Sequence, residues 1–488
     1  MPVTQRDAST APDVRRGLVL AICCTAVLMS NLDSTALNVA LPSIGRELHT
    51  SVAGAQWTVA AYSVTLACLL MFSGALADRV GRKLVFQIGL GVFAAGSLAC
   101  SLAPSLGWLV AFRIMQAVGG SMLNPVAMAI IAAVFTETAA RTRAIGVWSG
   151  TTGISMAAGP VAGGVLVDSL GWESVFWINV PIAMIALALT IRYVPESKAA
   201  RARRMDPIGQ LLLAGFLGVL VFAIIEGPHR GWGSVVTVGC FVGAAACALG
   251  LAWYEPRRTD PAIELRAFRS SQFTGAVVIA VCAFAGMGGF LFLNTFFLQE
   301  VRGDRPALAG LELLPMALAL VVSGPISGRL VTRHGARRAL TLGAIIVTAA
   351  ALLLAFTFDS GGQPLLLTGY ALLGAGVGLL NTPITTIAVA GLPPAQSGVA
   401  SAIATTSRQI GQALGVAVIG SIIAAHHDAL SSAAAFHAPA QIAWFTITGL
   451  GIAAFIVACT TVRPAGSAPW APVSRPETSM QWRRQTPR

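Results

Sequence analysis

Lysine is nearly missing. Only Lys83 and Lys198 occur in 488 residues, and neither stands in a GK[ST] context. No phosphate-cradling loop is therefore present, and ATP is excluded as the energy source of this chain. Charged residues of all kinds make up 11%, against about 25% in soluble domains. No HExxH pattern and no nucleophile–base constellation occurs, so nothing points to an enzyme. The eight cysteines contain no CxxC pair and all fall in apolar segments. They read as small packing residues, which leaves neither a disulfide framework nor a metal site. His426 and His427 are adjacent, so their side chains diverge, and no metal is expected there. Rings of charge or filter loops, which a channel would require, are also wanting.

What remains is apolar. Hydrophobic residues make up 55% of the chain and mean hydropathy is +0.75. Apolar stretches of about 20 residues recur, each long enough to cross a hydrocarbon core of about 30 Å as a helix. Fourteen spans are expected, near 17–42, 54–77, 84–103, 107–134, 144–167, 172–193, 207–226, 234–254, 271–298, 306–331, 338–357, 363–390, 397–424 and 439–462. The first follows Arg15 and Arg16 and runs past Asp33 to Pro42, too long for a cleaved signal peptide. Residues 463–488 read as a disordered Pro/Arg-rich tail.

The net charge of +12 is distributed, and its distribution is informative. With the N-terminus inside, the cytoplasmic segments, counted with the inner span-end residues Arg192 and Arg338, hold 25 of the 32 Lys and Arg. Four lie outside (Arg46, Arg230, Arg302, Arg305) and three within spans (Arg113, Arg329, Arg408). This is the positive-inside asymmetry, so it fixes orientation and implies no nucleic-acid partner. Both termini are then cytoplasmic. Trp57, Trp108, Trp172, Trp232 and Trp444 sit near outer span ends, as an interfacial belt would.

The chain also repeats itself. GALADRVGRK (74–83) after span 2 matches GRLVTRHGARR (328–338) after span 10, at an offset of 254. GGSMLNP (119–125) matches GVGLLNTP (376–383) at an offset of 257. The expected architecture is an all-α polytopic membrane protein of two parallel six-helix bundles with an extra hairpin between them. Its segments are a cytoplasmic N-terminus (1–16), a first bundle (17–193), a linker with two extra helices (194–256), a second bundle (257–462) and the tail. Parallel repeats of this kind place a substrate site between the halves.

These residues carry a family resemblance. GALADRVGRK resembles the loop signature of the major facilitator superfamily, and LDSTALNVALP (32–42) resembles the first-span motif of its drug:proton antiporters. GISMAAGPVAGG (153–164) is similar to the motif that marks antiporters, and fourteen spans point to the fourteen-helix branch. The resemblance runs from about residue 17 to 462. It implies that the loop residues Gly74, Asp78, Arg79, Gly81 and Arg82 form a gate. Asp78 would meet the positive end of span 13 near Ser397; Thr332 replaces the acid in the second copy, which is then structural. It also implies that span 5, with Gly153, Gly159, Pro160, Gly163 and Gly164, seals the two bundles on the outer side. The residues alone allow a close-packed kinked helix with no further role. Gly146 and Gly150 share the four-residue spacing, and Gly411 and Gly415 mark span 13 as a counterpart.

Buried ionisable residues are the remaining clue. Asp33 lies about 13 Å below the outer end of span 1 and Arg113 about 10 Å below that of span 4, at 1.5 Å per residue. The depths match, and the second half has Tyr370 where alignment places Arg113. The pair is either a permanent strut or a carboxylate that cycles between Arg113 and a proton. Burial favours the neutral carboxyl and a nearby cation the ionised one, so the two effects oppose. Asn38 and Gln116 on the same spans, with Glu226, Glu312 and Arg408, are the other candidate cavity residues. Glu226 reads as interfacial, and Glu312 either lines an outer vestibule or does not. Arg408, about 17 Å from the inner surface, is held by a substrate or by carbonyls.

The sequence thus leads to a secondary transporter in a bacterial cell membrane. It would export small hydrophobic or cationic drugs and antibiotics by alternating access, with a proton gradient in place of any cofactor. Its partners would be small molecules and the lipid bilayer, and it would work as a monomer. An exporter or importer of one metabolite on the same fold is the nearest alternative, and a transporter-like sensor a distant one. Scarce Lys beside abundant Arg and Ala fits a high-GC bacterial genome.

Overall fold

The computed structural model describes residues 13–199, 206–258, 265–359, 362–390, 397–426 and 429–462. Among them there is no strand; the chain is built of helices alone. Thirteen helical spans are long and apolar enough to cross a membrane. A further long helix, Ser397–Ala424, coincides with the expected thirteenth span but is not among the thirteen. Its middle carries Arg408, Gln409 and Gln412. The expected tail and His427 lie outside the described residues.

The first half comprises α1 (Asp13–Glu47), α2 (Val52–Val80), α3 (Arg82–Ser101), α4 (Leu106–Ser121), α5 (Asn124–Val134), α6 (Thr138–Leu170), α7 (Ser174–Trp177) and α8 (Asn179–Tyr193). Spans 4 and 6 are thus each divided in two. The first break falls just before Pro125 and the second just before Pro181, where a missing N–H and the proline ring interrupt the helical ladder. A hairpin follows, α9 (Pro207–Arg230) and α10 (Val235–Tyr254). The second half comprises α11 (Ser271–Phe296) with a terminal π turn at Phe297–Val301, α12 (Pro306–Glu312), α13 (Leu314–His334), α14 (Ala336–Thr357), α15 (Gly362–Ala390), α16 (Ser397–Ala424) and α17 (Ala433–Thr461). Short connections make each helix run back past its neighbour. They create two ends, one at Arg46 and Glu300 and the other at the turn between α2 and α3.

That turn shows why the repeated loop is glycine-rich. Gly81 has φ +137°, and a Cβ there would lie 2.8 Å from Glu196 Oε1. Gly335, 254 positions later, has φ +84° between α13 and α14. Both are conformations that side-chain-bearing residues rarely adopt.

Packing repeats between the halves. α1 packs on α6, and α11 packs on α16 in the same way. The halves meet where α6 lies on α12 and α13, and where α16 lies on α2. α9 of the hairpin touches both α2 and α16. Its partner α10 is peripheral, with Val235 90% and Leu249 71% exposed. Apolar faces of this kind need lipid rather than water. The tryptophan belt is only partly as expected. Trp108 and Trp232 are about half exposed, but Trp172 and Trp444 are buried. Trp444 packs at 6.0 Å from Phe290 inside the second half, because the sequence marks depth along a helix and not the direction a ring faces.

Candidate functional site

Asp33 lies at the middle of α1 and is completely buried, as are Arg113 and Gln116 on α4 and Asn179 at the start of α8. Arg113 and Gln116 are three residues apart, so one helical face presents both. Arg113 Nη1 donates to Asp33 Oδ2 at 2.7 Å, an ion pair sealed from solvent. Asp33 Oδ1 accepts from Gln116 Nε2 at 2.9 Å and from Asn179 Nδ2 at 2.8 Å. Three donors thus converge on one carboxylate. Arg113 also donates to Gln116 Oε1 at 2.6 Å and to the Thr58 carbonyl at 3.3 Å. Its guanidinium lies 4.2 Å from the centre of the Tyr62 ring. Ser97 Oγ accepts the second Gln116 amide hydrogen at 2.8 Å. A buried charge is tolerable only when paired and hydrogen-bonded, and both Asp33 oxygens accept bonds here. The ion pair anticipated from depth alone is therefore present. Asn179, Tyr62, Ser97 and Thr58 were not anticipated; the one available signal was a polar Asn179 inside an apolar run, two residues before a proline.

The other candidates are placed differently. Asn38 is buried and donates to the Ser34 carbonyl of its own helix at 3.0 Å. Glu226 accepts from Trp57 Nε1 at 3.1 Å and pairs with Arg230 at 3.2 Å, joining α9 to α2. Glu312 is buried, receives Arg302 on both oxygens at 3.0 and 3.2 Å, and accepts from Gln363 at 2.9 Å. Both acids have their own cations near the Arg46 end. Arg408 reaches Thr385 Oγ1 and, at 3.4 Å, the Asn381 carbonyl.

The span 5 glycines divide by face. A Cβ on Gly159 or Gly163 would strike Thr35 or Ala36 of α1, within the same half. A Cβ on Gly164 would lie 2.4 Å from the Pro306 carbonyl oxygen of α12, and one on Gly310 would lie 2.3 Å from that of Pro160. Pro160 and Gly164 therefore face α12 of the other half, whereas Gly159 and Gly163 do not face that half. Gly146 and Gly150 have open space around them, and Gly153 meets Val321 at an ordinary 3.9 Å. The expected interface is narrower than the glycine spacing suggested. The second-half pair Gly411 and Gly415, against Val281 and Ala285 of α11, repeats the packing of Gly159 and Gly163 on α1, again within one half. At the Arg46 end the halves are also tied by Arg46–Glu300 at 2.6 Å and by Gln299 donating to the Val39 carbonyl at 2.8 Å.

In the loop, Arg82 pairs with Asp78 at 3.0 Å, and the Arg82 amide donates to the Ser197 carbonyl at 2.9 Å. A Cβ on Gly74 would lie at an ordinary 3.9 Å from Pro125. The expected partner of Asp78, the start of α16, has side chains outside the described residues up to position 400. Asp78→Asn is expected to lower export severalfold and to raise thiol labelling of a cysteine placed beside the loop, while Thr332→Asp changes little. Unaltered labelling in the Asp78→Asn protein would remove the loop from the gate.

Two related helical halves, the first of which holds a sealed ion pair, fit a membrane transporter. The chain belongs to the Major Facilitator Superfamily, whose sequence profile matches residues 23–416. The multidrug resistance protein Stp of Mycobacterium tuberculosis is 40% identical over 409 residues, covering 84% of this chain and 76% of that protein. The tetracenomycin C resistance and export protein of Streptomyces glaucescens is 36% identical over 408 residues, covering 83% and 75%. A bacterial homolog of the human lysosomal transporter Spinster, solved inward-facing and unoccupied, superposes with a TM-score of 0.65 at 17% identity. That match covers 93% of this chain and 98% of the other, and speaks for the fold alone.

Proposed function

We propose that this protein is a proton-coupled exporter of drugs or antibiotics, of the fourteen-helix branch, working by alternating access in a bacterial cell membrane with both termini in the cytoplasm. The observation that carries the reading is the Asp33–Arg113 pair. It is a titratable carboxylate in the middle of a span, held by a cation that a proton could replace. Names of the relatives, a multidrug resistance protein and an antibiotic resistance and export protein, favour export. Lys and Arg concentrate at the Arg82 end, which makes that end cytoplasmic. The tight contacts at the Arg46 end then correspond to a state closed to the outside.

Ethidium, puromycin and fluorescein accumulation in cells lacking their own pumps tests this directly. Expression is expected to lower accumulation of at least one compound severalfold, and a protonophore to abolish the difference. Raised accumulation would favour import instead, and no difference for any compound would reject transport of this class.

A further inference from the structure

Arg408 is unlike the other two arginines within spans, for Arg329 is exposed and Arg113 has a counter-charge. Arg113 is neutralised by Asp33, and Arg302 by Glu312 and Asp304. No described carboxylate is within ion-pair distance of Arg408. It lies at the middle of α16, facing α15 and, at 5.7 Å, the Phe284 ring of α11. Only its Nη2 is engaged, by the Thr385 hydroxyl and the Asn381 carbonyl. Its Nε is buried with no acceptor, and Oδ1 of Asn381, whose carbonyl Arg408 contacts, is buried with no donor. The residue as a whole keeps part of its surface accessible. Aligned through Gly159–Gly163 and Gly411–Gly415, the first half has Met156 at the related position, 252 residues earlier, so the charge belongs to the second half alone.

An uncompensated guanidinium at this depth is costly, and such residues mark ligand paths. A purely structural arginine would have its donors filled. Here Nη2 is taken, but Nε has no acceptor and no described residue engages Nη1, so the guanidinium keeps charge-assisted donors for an anionic oxygen. We propose that Arg408, with Asn381 and Phe284, binds an anionic oxygen, a carboxylate or acidic phenolate, on an apolar aromatic substrate. A hydroxyl or N–H beside that oxygen would satisfy Asn381 Oδ1, and Phe284 would lie against the ring. The halves then divide the work, with the ion pair of the first half answering protons and the second half answering substrate charge. This substrate class rests on the export reading, and it reverses the expectation of cationic drugs.

The test measures binding to purified full-length protein, separately from transport. Fluorescein and ethidium serve as anionic and cationic aromatic probes, read by fluorescence anisotropy in wild type, Arg408→Gln and Arg408→Lys. Wild type is expected to prefer fluorescein. The fluorescein-to-ethidium affinity ratio is expected to fall at least about tenfold in Arg408→Gln, roughly one charge-assisted pair, and to recover in part in Arg408→Lys. A ratio unchanged by Arg408→Gln overturns the proposal. So does a wild type that binds ethidium alone, or neither probe. Failure of export itself shows separately, as absence of any accumulation difference in cells.

Discussion

Asp33→Asn is expected to abolish efflux against a gradient while leaving downhill exchange of substrate measurable. Asparagine keeps the shape of the side chain but cannot be ionised, and one of its atoms becomes an amide N–H₂. Three donors converge on the two Asp33 oxygens. At least one of them would then face another donor, and Arg113 would lose its only described counter-charge. Breaking a buried pair by removing one partner costs about 3–5 kcal/mol, so the amount of protein in the membrane must be measured beside its activity. The informative comparison is within one preparation of proteoliposomes. Imposing a proton gradient should accelerate substrate movement in wild type and not in Asp33→Asn, while exchange down the substrate's own gradient persists. A variant that still concentrates drug outward would make the pair a strut. Coupling would then have to be sought at Glu226 or Glu312, although each already has its own arginine near the Arg46 end.

Gly164→Val should be nearly as damaging, for a steric reason. Its first added carbon would stand 2.4 Å from the Pro306 carbonyl oxygen and 3.0 Å from the carbonyl carbon. Backbone atoms cannot swing aside, so α6 and α12 would have to separate. Overpacking of this kind costs roughly 1–3 kcal/mol or more, enough to shift a balance between two conformations by at least about tenfold. Closure of the Arg46 end should be lost, with little efflux and with raised labelling of a cysteine engineered at Ser43. Gly163→Val should also fail, by pushing Ala36 and with it α1, three residues from Asp33; the Ala36 carbonyl oxygen would lie 2.7 Å away. Gly146→Val and Gly150→Val, with nothing near them, are the controls and should transport normally. Full efflux from Gly164→Val would show that the halves need not close at this contact.

Length and hydropathy of the apolar runs follow from the sequence because a lipid-spanning helix must be long and apolar whatever it packs against. The helical rise places residues in depth, and that was enough to pair Asp33 with Arg113 across 80 positions. The internal repeat foretold the matching glycine turns at Gly81 and Gly335. Rotation about each helix axis was not legible. Helices apolar on every side carry no stripe to say which face meets which neighbour. Only the tertiary structure therefore brought Asn179 and Gln116 onto Asp33, turned Trp444 inward, and split the span 5 glycines between α1 and α12. It alone left Arg408 with no described carboxylate beside it, since charge pairing depends on contacts between distant helices that neither spacing nor composition records.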